Sequence, residues 1–138
     1  RAQKLKTDND QYATVLGDAY REVEEFEMAA EMHNIALELK PKKKQHWLAL
    51  ARTFFEWGEF RDAINTLEEA EQKFENDAAE LFFVKSAYYY QIGNKNESYV
   101  NLERAMLQSN SQFNIVFEIS PVMQNDPAVT HIIEQYSH

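Results

Sequence analysis

The chain is 138 residues long with a net charge of −9, from 14 basic and 23 acidic residues, and it holds no cysteine, three glycines and three prolines. The missing thiols exclude a disulfide framework and a thiolate metal site, and the acidic balance sets the surface against nucleic acid and anionic membranes. A β protein needs turn residues roughly every 8 to 12 positions, so the shortage of glycine and proline points to a single all-α domain over residues 1–138.

In chain order, the first readable feature is internal repetition. Ala13, Leu16, Gly17, Tyr20, Ala29, Ala36 and Pro41 align with Trp47, Leu50, Ala51, Phe54, Ala63, Ala70 and Glu75 at a constant offset of 34. Counting back by the same interval places Ala2 beneath Ala36 and Leu5 beneath Leu39, so residues 1–9 read as the tail of a preceding repeat and the chain as part of a longer array. Repeat 1 then covers residues 10–43. Its end, Lys40, Lys42, Lys43 and Lys44 around Pro41, forms a basic run that reads as a solvated turn, because no aromatic residue interleaves the lysines for base stacking.

Repeat 2 covers residues 44–78. Trp47, Leu50, Ala51 and Phe54 fall at i, i+3, i+4 and i+7, one stripe of a helix, and Ala63, Leu67 and Ala70 form another after the turn at Glu56–Glu59. Gly58 and Gly93 are expected to end first helices in the left-handed conformation. Repeat 3, residues 79–112, follows at an offset of 35, pairing Phe54 with Tyr89, Gly58 with Gly93 and Ala70 with Ala105. The extra residue is expected in the turn near Asn76-Asp77, since an insertion inside a helix would rotate its apolar face by about 100°. Residues 113–138 read as capping helices. A short one is stopped by Ser120-Pro121, and a final one starts with Asp126 as N-cap and Pro127 at the first position, with Val129, Ile132, Ile133 and Tyr136 inward. The apolar run Leu81 to Tyr90 is too short to span a bilayer and the first residues lack an apolar signal. A soluble chain is expected, with cytoplasm and periplasm both open.

The 34-residue period and its residues resemble the tetratricopeptide (TPR) pattern W-x2-L-G-x2-Y, A-x3-F, P. Trp47, Leu50, Gly17, Tyr20, Ala29, Ala63, Ala36, Ala70 and Pro41 match it. His33 and Leu67 replace its second aromatic, and Ser98 and Lys85 depart from its small and large apolar positions. The C-terminal tail is also similar to those of some bacterial TPR proteins. The resemblance implies a right-handed solenoid of antiparallel helix pairs whose first helices line a concave groove. On this chain the groove positions are Thr14, Asp18 and Arg21, then Leu48, Arg52 and Phe55, then Phe83, Ala87 and Tyr90. The last set can equally fill space between neighbouring helices. Some TPR proteins grip a chaperone's C-terminal carboxylate with Lys, Asn and Arg. Here Thr14 and Asp18 stand at the Lys and Asn positions, and Asp18 would repel a carboxylate.

Catalytic constellations are missing from the sequence. The glycines lie too far apart for a phosphate loop, and His33, His46, His131 and His138 show no metal-ligand spacing. His33 is expected as a packed, hydrogen-bonded ring. The Glu22, Glu24, Glu25 and Glu27 cluster reads as a solvated helix end. The expectation is therefore a non-enzyme without metal or cofactor, a scaffold that binds a peptide or helix through an apolar anchor, with basic residues to suit the acidic rim. Self-assembly, or service inside a longer array, is the second expectation, and a helical metal-dependent hydrolase a remote third.

Overall fold

The computed structural model describes residues 8–137, so residues 1–7, most of the expected tail of a preceding repeat, and His138 lie outside the described residues. Within them the chain is all-helical: α1 (Asp10–Glu22), α2 (Phe26–Leu39), α3 (Lys44–Trp57), α4 (Phe60–Phe74), α5 (Ala79–Gln91), α6 (Lys95–Gln108), α7 (Asn114–Ile119) and α8 (Pro127–Tyr136). No strand occurs among the described residues, and none of their helices is long and apolar enough to cross a membrane. The chain divides within α4 into two compact units, one ending at Glu68 and one beginning at Glu69.

In the first unit, Asn9 caps α1 by accepting the Tyr12 amide at 3.0 Å, which satisfies one of the four amides that a helix start leaves open. The turn Val23–Glu25 then reverses the chain, closed by the Glu24 and Glu25 amides donating to the carbonyls of Arg21 and Tyr20, both at 2.9 Å. This folds α2 back along α1, where Gly17 meets the fully buried His33. A Cβ built on Gly17 would lie 2.8 to 3.0 Å from the ring atoms of His33. Glycine at that position is therefore a steric requirement of the ring opposite it. Ala13, Ala29 and Ala36, all fully buried, extend the same close approach along the pair.

The α3 stripe packs as its spacing predicts, with Trp47, Leu50 and Ala51 buried and the Trp47 indole N–H donating to the Pro41 carbonyl at 2.9 Å. Side chains tie α1 to α3 at four places: Asp10 to Lys43 and to His46, Thr14 to His46, and Arg21 to Glu56. The partners lie 32 to 36 residues apart, and positions ascend together on both helices, so α1 and α3 run in the same direction. Gly58 ends α3 at φ 90° and Gly93 follows α5 at φ 88°. Glu24, 34 residues before Gly58, takes φ 62°.

In the second unit Asn76-Asp77 lie in a turn between helices. Glu75–Asp77 form one 3₁₀ turn, with Glu75 at φ 35°. Gln108 braces it from α6, its side-chain oxygen accepting the Ala78 amide at 2.9 Å and its nitrogen donating to the Glu75 carbonyl at 3.1 Å. Helices α5 and α6 approach through Ser86, whose hydroxyl donates to the Ser98 carbonyl at 2.7 Å. Lys85, at a position where the repeat pattern wants a large apolar residue, is buried against Glu71 at 2.8 Å and lies 5.4 Å from the Phe82 ring centre. Paired this way the ammonium avoids the heavy penalty of an isolated buried charge.

The short helix, α7, and the last helix, α8, close over this pair. Val116, Met123, Val129, Ile132 and Ile133 join Phe83, Leu102 and Met106 in one core, while Thr130, Glu134 and Gln135 face solvent. Asp126 and Pro127 start α8 as the sequence predicts, the Asp126 carboxylate accepting the Ala128 amide at 2.8 Å. The other oxygen of Asp126 accepts the hydroxyls of Tyr90 on α5 and Tyr99 on α6, at 2.8 and 2.6 Å. The hydrogen bond to this carboxylate pushes the Tyr99 hydroxyl up to about 12.

Two substitutions test these turns and contacts. Gly17→Ala is expected to destabilise the protein by about 1 to 3 kcal/mol, because neither the α1 backbone nor the enclosed His33 ring can yield. Glu24→Gly is expected to stabilise it by a few tenths to about 1 kcal/mol, relief of a left-handed residue outweighing glycine's greater freedom when unfolded. Urea unfolding followed by circular dichroism measures both.

Candidate functional site

The groove positions of the first unit lie along the seam of α1 and α3, and the structure links three of them by charge through Glu56. Arg21, only 7% exposed, donates to Glu56 Oε1 at 3.2 Å, and Arg52 Nε donates to Glu56 Oε2 at 2.8 Å. Asp18 lies 3.8 Å from Arg21 and 3.3 Å from His33. A row Asp18–Arg21–Glu56–Arg52 results, in which Glu56 bridges two cations. Burial works against its charge, but the Arg52 and Arg21 bonds outweigh that and hold its carboxyl below the usual range. Leu48 and Phe55 are half-buried beside the row, the Phe55 ring meeting Phe60 at 5.1 Å and 53°.

The groove positions of the second unit behave differently. Phe83 and Ala87 are fully buried in the core formed with Val116, Met123 and Val129, and they offer no surface to a ligand. The reading of these residues as groove lining is corrected to space-filling between helices, because α7 and α8 cover the face on which they stand. Tyr90 is half-buried, its hydroxyl committed to Asp126 and its ring 5.5 Å from the Lys95 ammonium.

Thr14 belongs to a trio that no local spacing could reveal. His46 Nε2 lies 2.7 Å from Asp10 Oδ2, and His46 Nδ1 lies 3.2 Å from the Thr14 hydroxyl. A carboxylate can only accept, so Nε2 carries a proton, and in the neutral ring Nδ1 accepts from the Thr14 hydroxyl. The His46 hydrogen bond holds the Asp10 carboxyl below the usual range despite some burial. Acid, imidazole and hydroxyl stand in the order of a nucleophilic relay, yet Thr14 sits within α1. There the neighbouring amides are engaged along the helix and leave no donor for an oxyanion. The trio is therefore a cross-helix brace, aided by Lys43, whose ammonium lies 3.4 Å from the same Asp10 oxygen. Among the described residues no three His, Asp or Glu side chains gather as a metal site requires.

His33 departs from the hydrogen-bonded ring expected of it. It is fully buried, and neither ring nitrogen has a hydrogen-bond partner, the 3.3 Å approach of Asp18 notwithstanding. Burial drives its pKa down from 6.5 to about 4, against the pull of Asp18, so the neutral ring is the folded form. The unfolded chain binds the proton more readily, and the stability present above pH 6.5 declines as pH falls through about 4. The full loss is on the order of 3 kcal/mol. It starts above the range in which the lowered carboxyls of Asp10 and Glu56 give up theirs. His33→Phe, which keeps a flat ring and cannot titrate, is expected to flatten the dependence of the urea midpoint on pH between 6.5 and 4. Compared with known proteins, the chain matches no family model and no curated protein sequence.

Proposed function

We propose that the chain is a non-catalytic scaffold of the tetratricopeptide type, a right-handed solenoid of antiparallel helix pairs that holds another protein through a peptide or helix. The observation that carries this reading is the α1–α3 seam. Its partners lie 32 to 36 residues apart along two helices of the same direction, as stacking of a unit of about 34 residues demands. The steric fit of Gly17 under His33, at a small position of the motif, supports it further. The ligand face is the seam itself. Leu48 and Phe55 supply half-buried apolar anchors, and Arg52 stands between them with its guanidinium oriented by Glu56. Aromatic and aliphatic anchors beside an oriented arginine are the composition of an interface centre.

Self-assembly is a second reading, favoured by a different surface. Tyr12, Val15 and Ala19 are exposed at i, i+3 and i+7 along α1, with Val23 exposed in the turn after it, an apolar stripe on which a further helix pair or a second copy would stack. Sedimentation over a range of concentrations decides it: a monomer throughout eliminates the second reading.

For the first reading, Leu48→Glu and Phe55→Glu are each expected to abolish capture of the native partner, read by affinity isolation and mass spectrometry. Helical circular dichroism and Tm should stay near those of the unsubstituted protein. Joint loss of binding and fold would make both residues core and defeat the reading.

A further inference from the structure

The first unit carries an open cavity of about 370 Å³ lined by Arg21, Glu22, Glu24, Phe26, Arg52 and Glu56. Its walls are the end of α1, the turn to α2, the first residue of α2 and the C-terminal half of α3. Beside it Trp57 stacks on Phe26, with centroids 6.3 Å apart and planes at 18°, and on Phe54 at 6.3 Å and 8°. Rings of this size are usually spent on the core. Here Trp57 remains 39% exposed and Phe60, against Phe55, 42%, so the rings form an aromatic surface next to a concave space.

Charge decides what such a surface takes. The guanidiniums in the wall are already matched, since Glu56 gives one oxygen to Arg21 and the other to Arg52, and Glu22 and Asp18 add 3.5 and 3.8 Å contacts to Arg21. The lining carboxylates are in excess: Glu22, Glu24 and Glu56 against Arg21 and Arg52, with Glu22 and Glu24 exposed. An incoming anion meets repulsion, while a cation meets both carboxylates beside an aromatic ring. Arg21 adds an independent demand, because its buried Nε–H has no acceptor within the protein. A peptide carbonyl laid against that wall would supply one. The volume suits a side chain with its adjoining backbone, at the small end of ligand sites.

We propose that this cavity receives an arginine side chain of the partner, its guanidinium set between Glu22, Glu24 and the Phe26 ring and the adjoining backbone against Arg21. The inference rests on the peptide-binding reading above and names the chemistry that the seam selects. A labelled peptide with arginine beside leucine anchors, and its uncharged citrulline counterpart, are titrated by fluorescence anisotropy against the whole chain. The arginine peptide is expected to bind about tenfold or more tightly than the citrulline one. The double variant Glu22→Lys, Glu24→Lys should remove that preference and Phe26→Ser reduce it, with circular dichroism unchanged. Glu118→Lys, an exposed charge reversal on α7, should leave it intact. Failure of both peptides to bind, equal affinity for the two, or an equal loss in Glu118→Lys would overturn the proposal. The two readings separate cleanly. Equal affinity for both peptides together with loss in Leu48→Glu sinks the arginine site and keeps the seam. A charge preference that survives Leu48→Glu keeps the arginine site and sinks the seam as anchor.

Discussion

How closely two helices may lie is the constraint on which both units depend. Where α1 meets α2, the absence of a single Cβ at Gly17 admits the whole His33 ring. Where α5 meets α6, Ser86 and Ser98 bring a hydroxyl onto a helix carbonyl at 2.7 Å. In both pairs small residues set the axis separation and larger neighbours fill what remains, which is how close-packed interiors tolerate so little change in side-chain volume. The charged row of Arg21, Glu56 and Arg52 and the brace of Asp10, His46 and Thr14 form against the face that α1 turns to α3.

The polar groups of the first unit divide by the work they do. The brace is enclosed, with His46 nearly inaccessible and both its nitrogens occupied, so it fixes the register of α3 against α1. The row is half open. Arg52 is well exposed while its Nε is held by Glu56, which reduces the number of rotamers that a ligand would have to freeze. His33 is the counterexample to general polar satisfaction: a buried imidazole with no bond at either nitrogen, kept neutral by its surroundings. Its flat ring is the shape that fits beneath Gly17.

Much of the helix plan was legible from periodicity and caps. Asp126-Pro127 marked the start of α8, Gly58 and Gly93 marked turns, and the change of offset from 34 to 35 placed an extra residue where Glu75–Asp77 now form a 3₁₀ turn. What stayed hidden follows from physics. Helix α5 is apolar on nearly every side, with Ala79, Leu81, Phe83, Val84, Ala87 and Tyr88 all buried, so its pattern could not say which face a later segment would cover. The misassignment of Phe83 and Ala87 comes from that ambiguity. The contact of Asp10 with His46, 36 residues apart, depends on helix stacking and leaves no local mark. The link of Arg52 to Glu56 was readable at i, i+4, but the second arginine on the same carboxylate was not.

The double tyrosine clasp on Asp126 has a further consequence for α8. A helix of ten residues such as α8 would scarcely persist alone in water. Its first turn, however, is anchored to a carboxylate that also holds α5 and α6 through Tyr90 and Tyr99. Fraying of α8 is thereby coupled to the integrity of a helix pair whose tyrosines stand 27 and 36 residues before Asp126. Helix α8 opens with α5 and α6 as a cooperative whole.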